Sequence, residues 1–169
     1  LEDYAKGIEY YQQRLAVARE IQDRKGEGTS LYVLGSTYLL FGNYAKAIDY
    51  FQQHLVIAQE IKDRQNEGNA LGNLGSVYSF LGDYAKAIKY GQQHLAIARE
   101  IQDRREEGIA LVNLGNFYRA QGDYGQAIKF SQQGLVIARE IQDRRLEGAA
   151  LGNFGVAYRA QKDYAKARE

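Results

Sequence analysis

The sequence predicts an all-α protein, a solenoid of antiparallel helical hairpins, on three observations. The stretch from Gly68 to Tyr84 recurs from Gly28, Gly108 and Gly148, at a spacing of 40 residues each time and without slippage. Each 40-residue unit carries two apolar stripes at the i, i+3, i+4, i+7 spacing of a helix. A Gly-Asn or Gly-Asp pair separates the two stripes, and that pair both ends one helix and caps the next. A strict long period reduces the fold to one supersecondary unit and its stacking, and 169 residues hold about four such units.

In chain order, Tyr4, Ile8, Tyr11, Leu15 and Ala18 form the stripe of a helix over 4–22, the second helix of a unit whose first is missing. Asp23 is an N-cap, and Leu31, Leu34, Gly35 and Tyr38 lie on one face of a helix over 24–41 that Gly42 closes. Asn43, then Asp83, Asp123 and Asp163 in the same column, start the second helices. The remaining predicted helices are 44–62, 64–81, 84–102, 104–121, 124–142 and 144–161. At Lys162, which stands where other units have Gly, the joint is expected to be strained or looser. The repeating glycines Gly35, Gly75, Gly115 and Gly155 are expected at a close helix crossing. The chain reads as a single solenoid over 1–169, with units 24–63, 64–103 and 104–143 and partial units at 1–23 and 144–169. Both ends look cut from a longer array.

Composition narrows the function classes. Lys plus Arg number 22 against 21 Asp plus Glu, and this net charge of +1 gives no bulk reason to expect nucleic acid or an acidic membrane as partner. There is no cysteine, so disulfides and thiolate metal sites are excluded and nothing points to an oxidising compartment; a cytoplasmic location is expected. No apolar run has the length of a membrane span or signal peptide.

The first helices carry two faces. Leu31, Leu34, Gly35 and Tyr38 recur in every unit, whereas Thr29, Tyr32, Val33, Ser36 and Leu40 become Asn69, Gly72, Asn73, Ser76 and Phe80, and then Ile109, Val112, Asn113, Asn116 and Ala120. In the last unit they become Ala149, Gly152, Asn153, Val156 and Ala160. Scaffold positions are expected to be uniform and recognition positions to differ. On the second helices, Lys46, Asp49, Gln53 and Glu60 and their copies are expected on solvated surface.

The pattern Leu-Gly-x-x-Tyr, Gly-Asp-Tyr and Ala-Ile closely resembles the tetratricopeptide repeat in its 40-residue form, similar to the Pins/LGN cell-polarity scaffolds and to cyanobacterial repeat arrays. Leu31, Leu34, Gly35, Tyr38, Gly42, Tyr44 and Ala47 carry the resemblance, with copies 40 and 80 residues on and mostly at 120. The family's proline after the second helix is absent, and each unit is about six residues longer than usual. The resemblance implies a right-handed superhelix with a concave groove, lined by first helices, that binds a peptide.

On that expectation Asn73, Asn113 and Asn153 form a ladder of groove amides, with internal hydrogen bonding as the alternative. Arg119 and Arg159 suit acidic side chains or a terminal carboxylate, unless they pair with acids such as Asp123 and Asp163. Tyr32, Val33, Leu39, Leu40 and Phe80 give an apolar patch at the other end, unless a preceding helix covers it. Ser76 and Asn116 complete the candidate peptide-binding set. His54 and His94 share a column and are a weak metal pair; packing or a hydrogen bond is the better account. The column Tyr11, Phe51, Gly91 and Ser131 either tapers the groove or tolerates change at a crossing. Four copies of Glu27, Glu67, Glu107 and Glu147 with Asp-Arg pairs read as caps and inter-unit ion pairs rather than one catalytic site. The glycines fit no phosphate loop.

The expected function is a non-catalytic module binding an extended protein or peptide ligand, one that can carry acidic residues, with no metal and no cofactor. The alternative is a spacer or sensor arm of a larger protein. A further expectation is head-to-tail self-stacking, because the first helix of the chain matches the one missing after the last.

Overall fold

The computed structural model describes the backbone of residues 2–166 and the side chains of residues 4–161. Helices alone make up its regular structure: α1 (Glu2–Glu20), α2 (Arg24–Leu40), α3 (Tyr44–Glu60), α4 (Arg64–Phe80), α5 (Tyr84–Glu100), α6 (Arg104–Gln121), α7 (Tyr124–Glu140) and α8 (Arg144–Lys166). No helix among the described residues is long and apolar enough to cross a membrane.

The expected caps form. Asp23 accepts from the Gly26 amide at 2.9 Å, Asn43 from Lys46 at 3.2 Å and Asp83 from Lys86 at 3.1 Å, each satisfying one of the amides a helix start leaves unpaired. Gly42, Gly82 and Gly122 take φ of 70°, 79° and 91°, the left-handed turn that a glycine adopts without a Cβ penalty.

Two boundaries differ from expectation. α1, α3, α5 and α7 stop two residues early, because Gln22, Lys62, Gln102 and Gln142 turn left-handed at φ of 57° to 58°. The turn closes with a bond of 2.8 Å from the Asp23 amide to the Ala18 carbonyl, repeated from Asp63 to Ala58. The other difference lies at Lys162, where no joint forms and α8 runs on to Lys166. Without glycine the left-handed turn costs roughly 1–2 kcal/mol, and no packed second helix follows among the described residues to offset it. The cap expected at Asp163 lies outside the described side chains.

Each helix packs on its neighbours in sequence, and the first helices also touch one another, α2 to α4, α4 to α6 and α6 to α8. No two second helices touch among the described residues. The chain is therefore an all-α repeat solenoid whose inner layer is made of first helices. Its core runs continuously between units: Leu31, Leu34, Phe51, Leu74, Val77, Leu114 and Phe117 are all buried. Tyr38 stacks on Tyr50, Tyr78 on Tyr90 and Tyr118 on Phe130, with ring centroids 5.3–5.5 Å apart.

The acidic columns make the joints. Glu27, 4% exposed, binds Arg19 at 2.8 Å and Arg24 at 2.6 Å, and Arg24 also bridges to Glu60. Arg64 repeats this with Glu67 and Glu100, and Arg104 with Glu107 and Glu140. A buried carboxylate is tolerable only with such partners, so each Glu fixes the register of one unit on the next.

Candidate functional site

Variation along the inner layer divides into two kinds. At the column of Tyr32 it is compensated inside the hairpin: Tyr32 lies against His54 at 5.9 Å between ring centroids, and Gly72 makes room for His94. A Cβ on Gly72 would come within 2.8 Å of His94 Nδ1. In the third hairpin the sizes are reversed, since a Cβ on Gly134 would meet Val112 Cγ2 at 2.6 Å. Gly72 and Val112 are buried. These two positions therefore vary because their partners vary, which corrects their placement on a recognition face.

The same holds for Phe51, Gly91 and Ser131. Phe51 is fully buried against Gly35, and the room left at Gly91 is filled by Leu114 and Phe117 of the following helix. This column lies in the core and tapers no groove. The close crossing expected at the repeating glycines is present at Gly35, Gly75 and Gly115, where a Cβ on Gly75 would meet the Ala87 carbonyl at 3.2 Å and Phe117 at 3.2 Å, but Gly155 has no described neighbour within 4 Å.

The second kind of variation remains outward. Between the C-terminal ends of α2 and α4, Ser36, Leu39, Leu40, Gly42, Tyr44 and Phe80 line a cleft of about 470 Å³. Leu40 is 70% exposed and Phe80 66%, with the Phe80 ring stacked on Tyr44 at 6.0 Å. Leu39, Leu40 and Phe80 are thus brought together, with Leu39 also leaning on the core around Phe51. Tyr32 and Val33 do not line that cleft. Exposed Phe41 and Leu81 stand beside the helix ends and were not singled out in the sequence. Their only signal is an apolar residue immediately before the cap glycine.

The amides behave differently from one another. Asn153 donates from Nδ2 to the Val112 carbonyl at 3.1 Å, a tie between first helices. Asn73 and Asn113 are half-buried and have no side-chain partner among the described residues. Ser76 bonds back to the Gly72 carbonyl within its own helix, at 3.0 Å. Arg119 donates to Asn116 Oδ1 at 2.5 Å while its Nε is buried without a partner, and Arg159 is exposed. Arg119 therefore forms no ion pair with Asp123, and Asp163 lies outside the described side chains.

The two histidines sit in the core at 2% and 3% exposure. His94 Nε2 lies 3.2 Å from a Glu106 carboxylate oxygen, whereas Asn66 replaces that acid beside His54. A small cleft of about 200 Å³ opens over His54, rimmed by Arg24, Asp63 and Asn66. Burial lowers the His54 pKa below its ordinary 6.5, against a smaller opposing pull from Asp63. No group of three or more metal-ligating side chains exists among the described residues.

The profile of the tetratricopeptide repeat family matches residues 1–60, 41–100 and 106–169, and the chain belongs to that family. The family is one of protein–protein interaction scaffolds and is generally non-catalytic. No curated protein sequence matches this chain. Among solved structures, the tetratricopeptide domain of Arabidopsis FLU is 31% identical, covering 71% of this chain and 99% of its own, with a TM-score of 0.63. A signal-transduction ATPase with numerous domains and a tetratricopeptide repeat sensor, from Pyrococcus horikoshii, is 25% identical with a TM-score of 0.79. The match covers 98% of this chain and 27% of that one. A Rap protein complexed with competence and sporulation factor has the same fold, with a TM-score of 0.82 at 17% identity. That match covers 98% of this chain and 46% of the Rap protein.

Proposed function

We propose that the chain is a non-catalytic interaction module that binds an extended peptide along its inner layer. Apolar anchors enter the cleft between Leu40 and Phe80, and acidic groups lie toward Arg119 and Arg159. The observation that carries this reading is the cleft itself: Leu40 and Phe80 are left exposed together on first helices whose Leu31, Leu34, Leu74 and Val77 are buried. The free amides of Asn73 and Asn113 suit a peptide backbone between those ends, and the unpartnered Nε of Arg119 suits a carboxylate.

The test is a peptide library varied in apolar and acidic content, read by fluorescence anisotropy against the parent protein, Phe80→Ala, Asn113→Ala and the Arg119→Glu, Arg159→Glu double variant. Asn113→Ala should lose about 0.5–1.5 kcal/mol of binding with folding unchanged. The double charge reversal should abolish preference for acidic peptides while apolar anchoring persists. An unchanged ranking in all three variants refutes the proposal.

The second reading, a sensor arm in a larger protein, is favoured by the similarity to a repeat sensor within a multidomain ATPase.

A further inference from the structure

The two buried histidines occupy equivalent places and differ in what meets them. His94 Nε2 lies 3.2 Å from Glu106 Oε2, a carboxylate delivered by the following first helix. In the third hairpin the pair becomes Gly134 and the buried Leu146, so polarity is lost from both columns together. His54 breaks this matching. Asn66 stands in the column of Glu106, and its side-chain amide turns away to donate to Asp63 Oδ2 at 2.8 Å. His54 is therefore 2% exposed with no hydrogen-bond partner among the described residues, at a place where its copy meets an acid.

The cleft of about 200 Å³ over His54 is bounded by Asn66 on one side and by Gly28, where a Cβ would stand 3.6 Å from His54 Cδ2 and 4.0 Å from Nε2. It is lined by residues 24–66 alone, at the opposite end of α2 from the Leu40 and Phe80 cleft. One cation on its rim is uncommitted. Arg24 is held by Glu27 and Glu60, and Asp63 accepts from the Asn66 amide, whereas exposed Lys25 has no partner among the described residues. Besides His54, α3 gives the wall only Ile57 and Ala58, with Ile61 following at its end, and Tyr32 lies against the histidine ring. A buried polar ring without a partner is unfavourable, and an acceptor at Nε2 removes that penalty.

We propose that the cleft over His54 is a carboxylate-binding site, in which the carboxylate of a small acid or of a bound peptide's acidic side chain takes the place beside Nε2 that Glu106 takes beside His94. Lys25 supplies the positive charge at the rim that offsets the repulsion from Asp63. Burial keeps His54 neutral, with its pKa below the ordinary 6.5. A carboxylate at Nε2 favours the protonated ring, so binding and proton uptake are coupled. The ligand therefore raises the His54 pKa, and affinity rises as pH falls. The site is separate from the Leu40 and Phe80 cleft, and Phe80→Ala should leave it intact.

The test is a titration of the 169-residue chain with sodium propionate, and separately with a capped peptide holding one glutamate, at constant ionic strength. The Hε1 signals of the two histidines report binding by nuclear magnetic resonance, and His54→Gln assigns them. The His54 signal should move saturably and its pKa should rise by about one unit, equivalent to about tenfold tighter binding to the protonated ring, while the His94 signal stays in place. Asn66→Glu supplies the carboxylate from α4, so it should raise the His54 pKa without ligand and abolish the response. Lys25→Gln, at an exposed position, should weaken binding about twofold to fivefold. A response to propionate shows that a free acid suffices, and one confined to the peptide assigns the carboxylate to a side chain; either supports the proposal. A His54 signal that moves no more with either probe than with an equal concentration of chloride, or a response undiminished in Asn66→Glu, overturns it.

Discussion

Replacing Gly134 by histidine, the residue found at this column in the two preceding hairpins, tests whether core variation here is compensated. A Cβ alone would stand 2.6 Å from Val112 Cγ2 and 3.3 Å from both the Gly108 carbonyl and the Val112 amide nitrogen. The first neighbour is a side chain that is 6% exposed, and the other two are backbone, so little can yield. Overpacking of this kind costs about 1–3 kcal/mol. Val112→Gly alone loses about 1.5–3 kcal/mol of burial and about 0.5 kcal/mol of helix propensity. The double variant rebuilds the Gly72–His94 arrangement one unit along, so the overpacking disappears and the costs fall short of their sum by about 1–3 kcal/mol. Urea unfolding of the parent, both single variants and the double variant, followed by far-ultraviolet circular dichroism, gives that coupling. Costs that add to within about 0.5 kcal/mol would show that the two positions do not share one space.

Two further outcomes are expected. His54 is held neutral by burial, so its folded pKa lies below the ordinary 6.5; the unfolded chain takes up the proton first, and stability should be complete above that value and fall as pH drops through it. Unfolding midpoints of the parent and His54→Gln between pH 7.5 and 5 check this, and an equal slope in both proteins removes His54 as the cause. Gln102 turns left-handed at φ of 57°, where a Cβ costs about 1–2 kcal/mol, while glycine gives back about 0.5–1 kcal/mol in the unfolded chain. Gln102→Gly should therefore leave stability equal or raise it by up to about 1 kcal/mol, and a clear loss on urea unfolding would refute that account.

The hairpin, its caps and its joints were legible because each rests on a local rule repeated several times. Asp23 and Gly42 announce a start and a stop, and four aligned copies remove the usual ambiguity of a single one. The left-handed turn at Gln22, Lys62, Gln102 and Gln142 was not legible, since neither residue type marks that conformation; only the bond back to Ala18, Ala58, Ala98 or Ala138 reveals it. The continuation of α8 through Lys162 was half visible, as a missing glycine signals a poorer turn but not its abandonment. Of the candidate site, the apolar members Leu40 and Phe80 emerge together, whereas the histidine column could not be linked to Gly72 and Val112. Those contacts join positions 22 residues apart, across a turn, and no single-helix periodicity connects them.

Repetition with variation does not by itself mark a recognition surface. In an array whose units share one backbone, a change of volume at one buried column must be absorbed by another column, because interiors are packed without voids. Phe51 beside Val77, then Gly91 beside Phe117, conserve the filled space while exchanging which helix supplies it. A variable position therefore belongs to recognition only if no facing column changes with it. Tyr32, Gly72 and Val112 fail that criterion through His54, His94 and Gly134. The column of Leu40 and Phe80 meets it, since both side chains reach solvent at the cleft, whereas Leu39 leans on the core around Phe51 and Arg119 donates to Asn116, whose own column changes with it. The asparagine column is the intermediate case. Asn153 ties two first helices together through the Val112 carbonyl, while Asn73 and Asn113 keep the same amide free, so a single column serves the scaffold at one unit and leaves hydrogen-bonding capacity at two others.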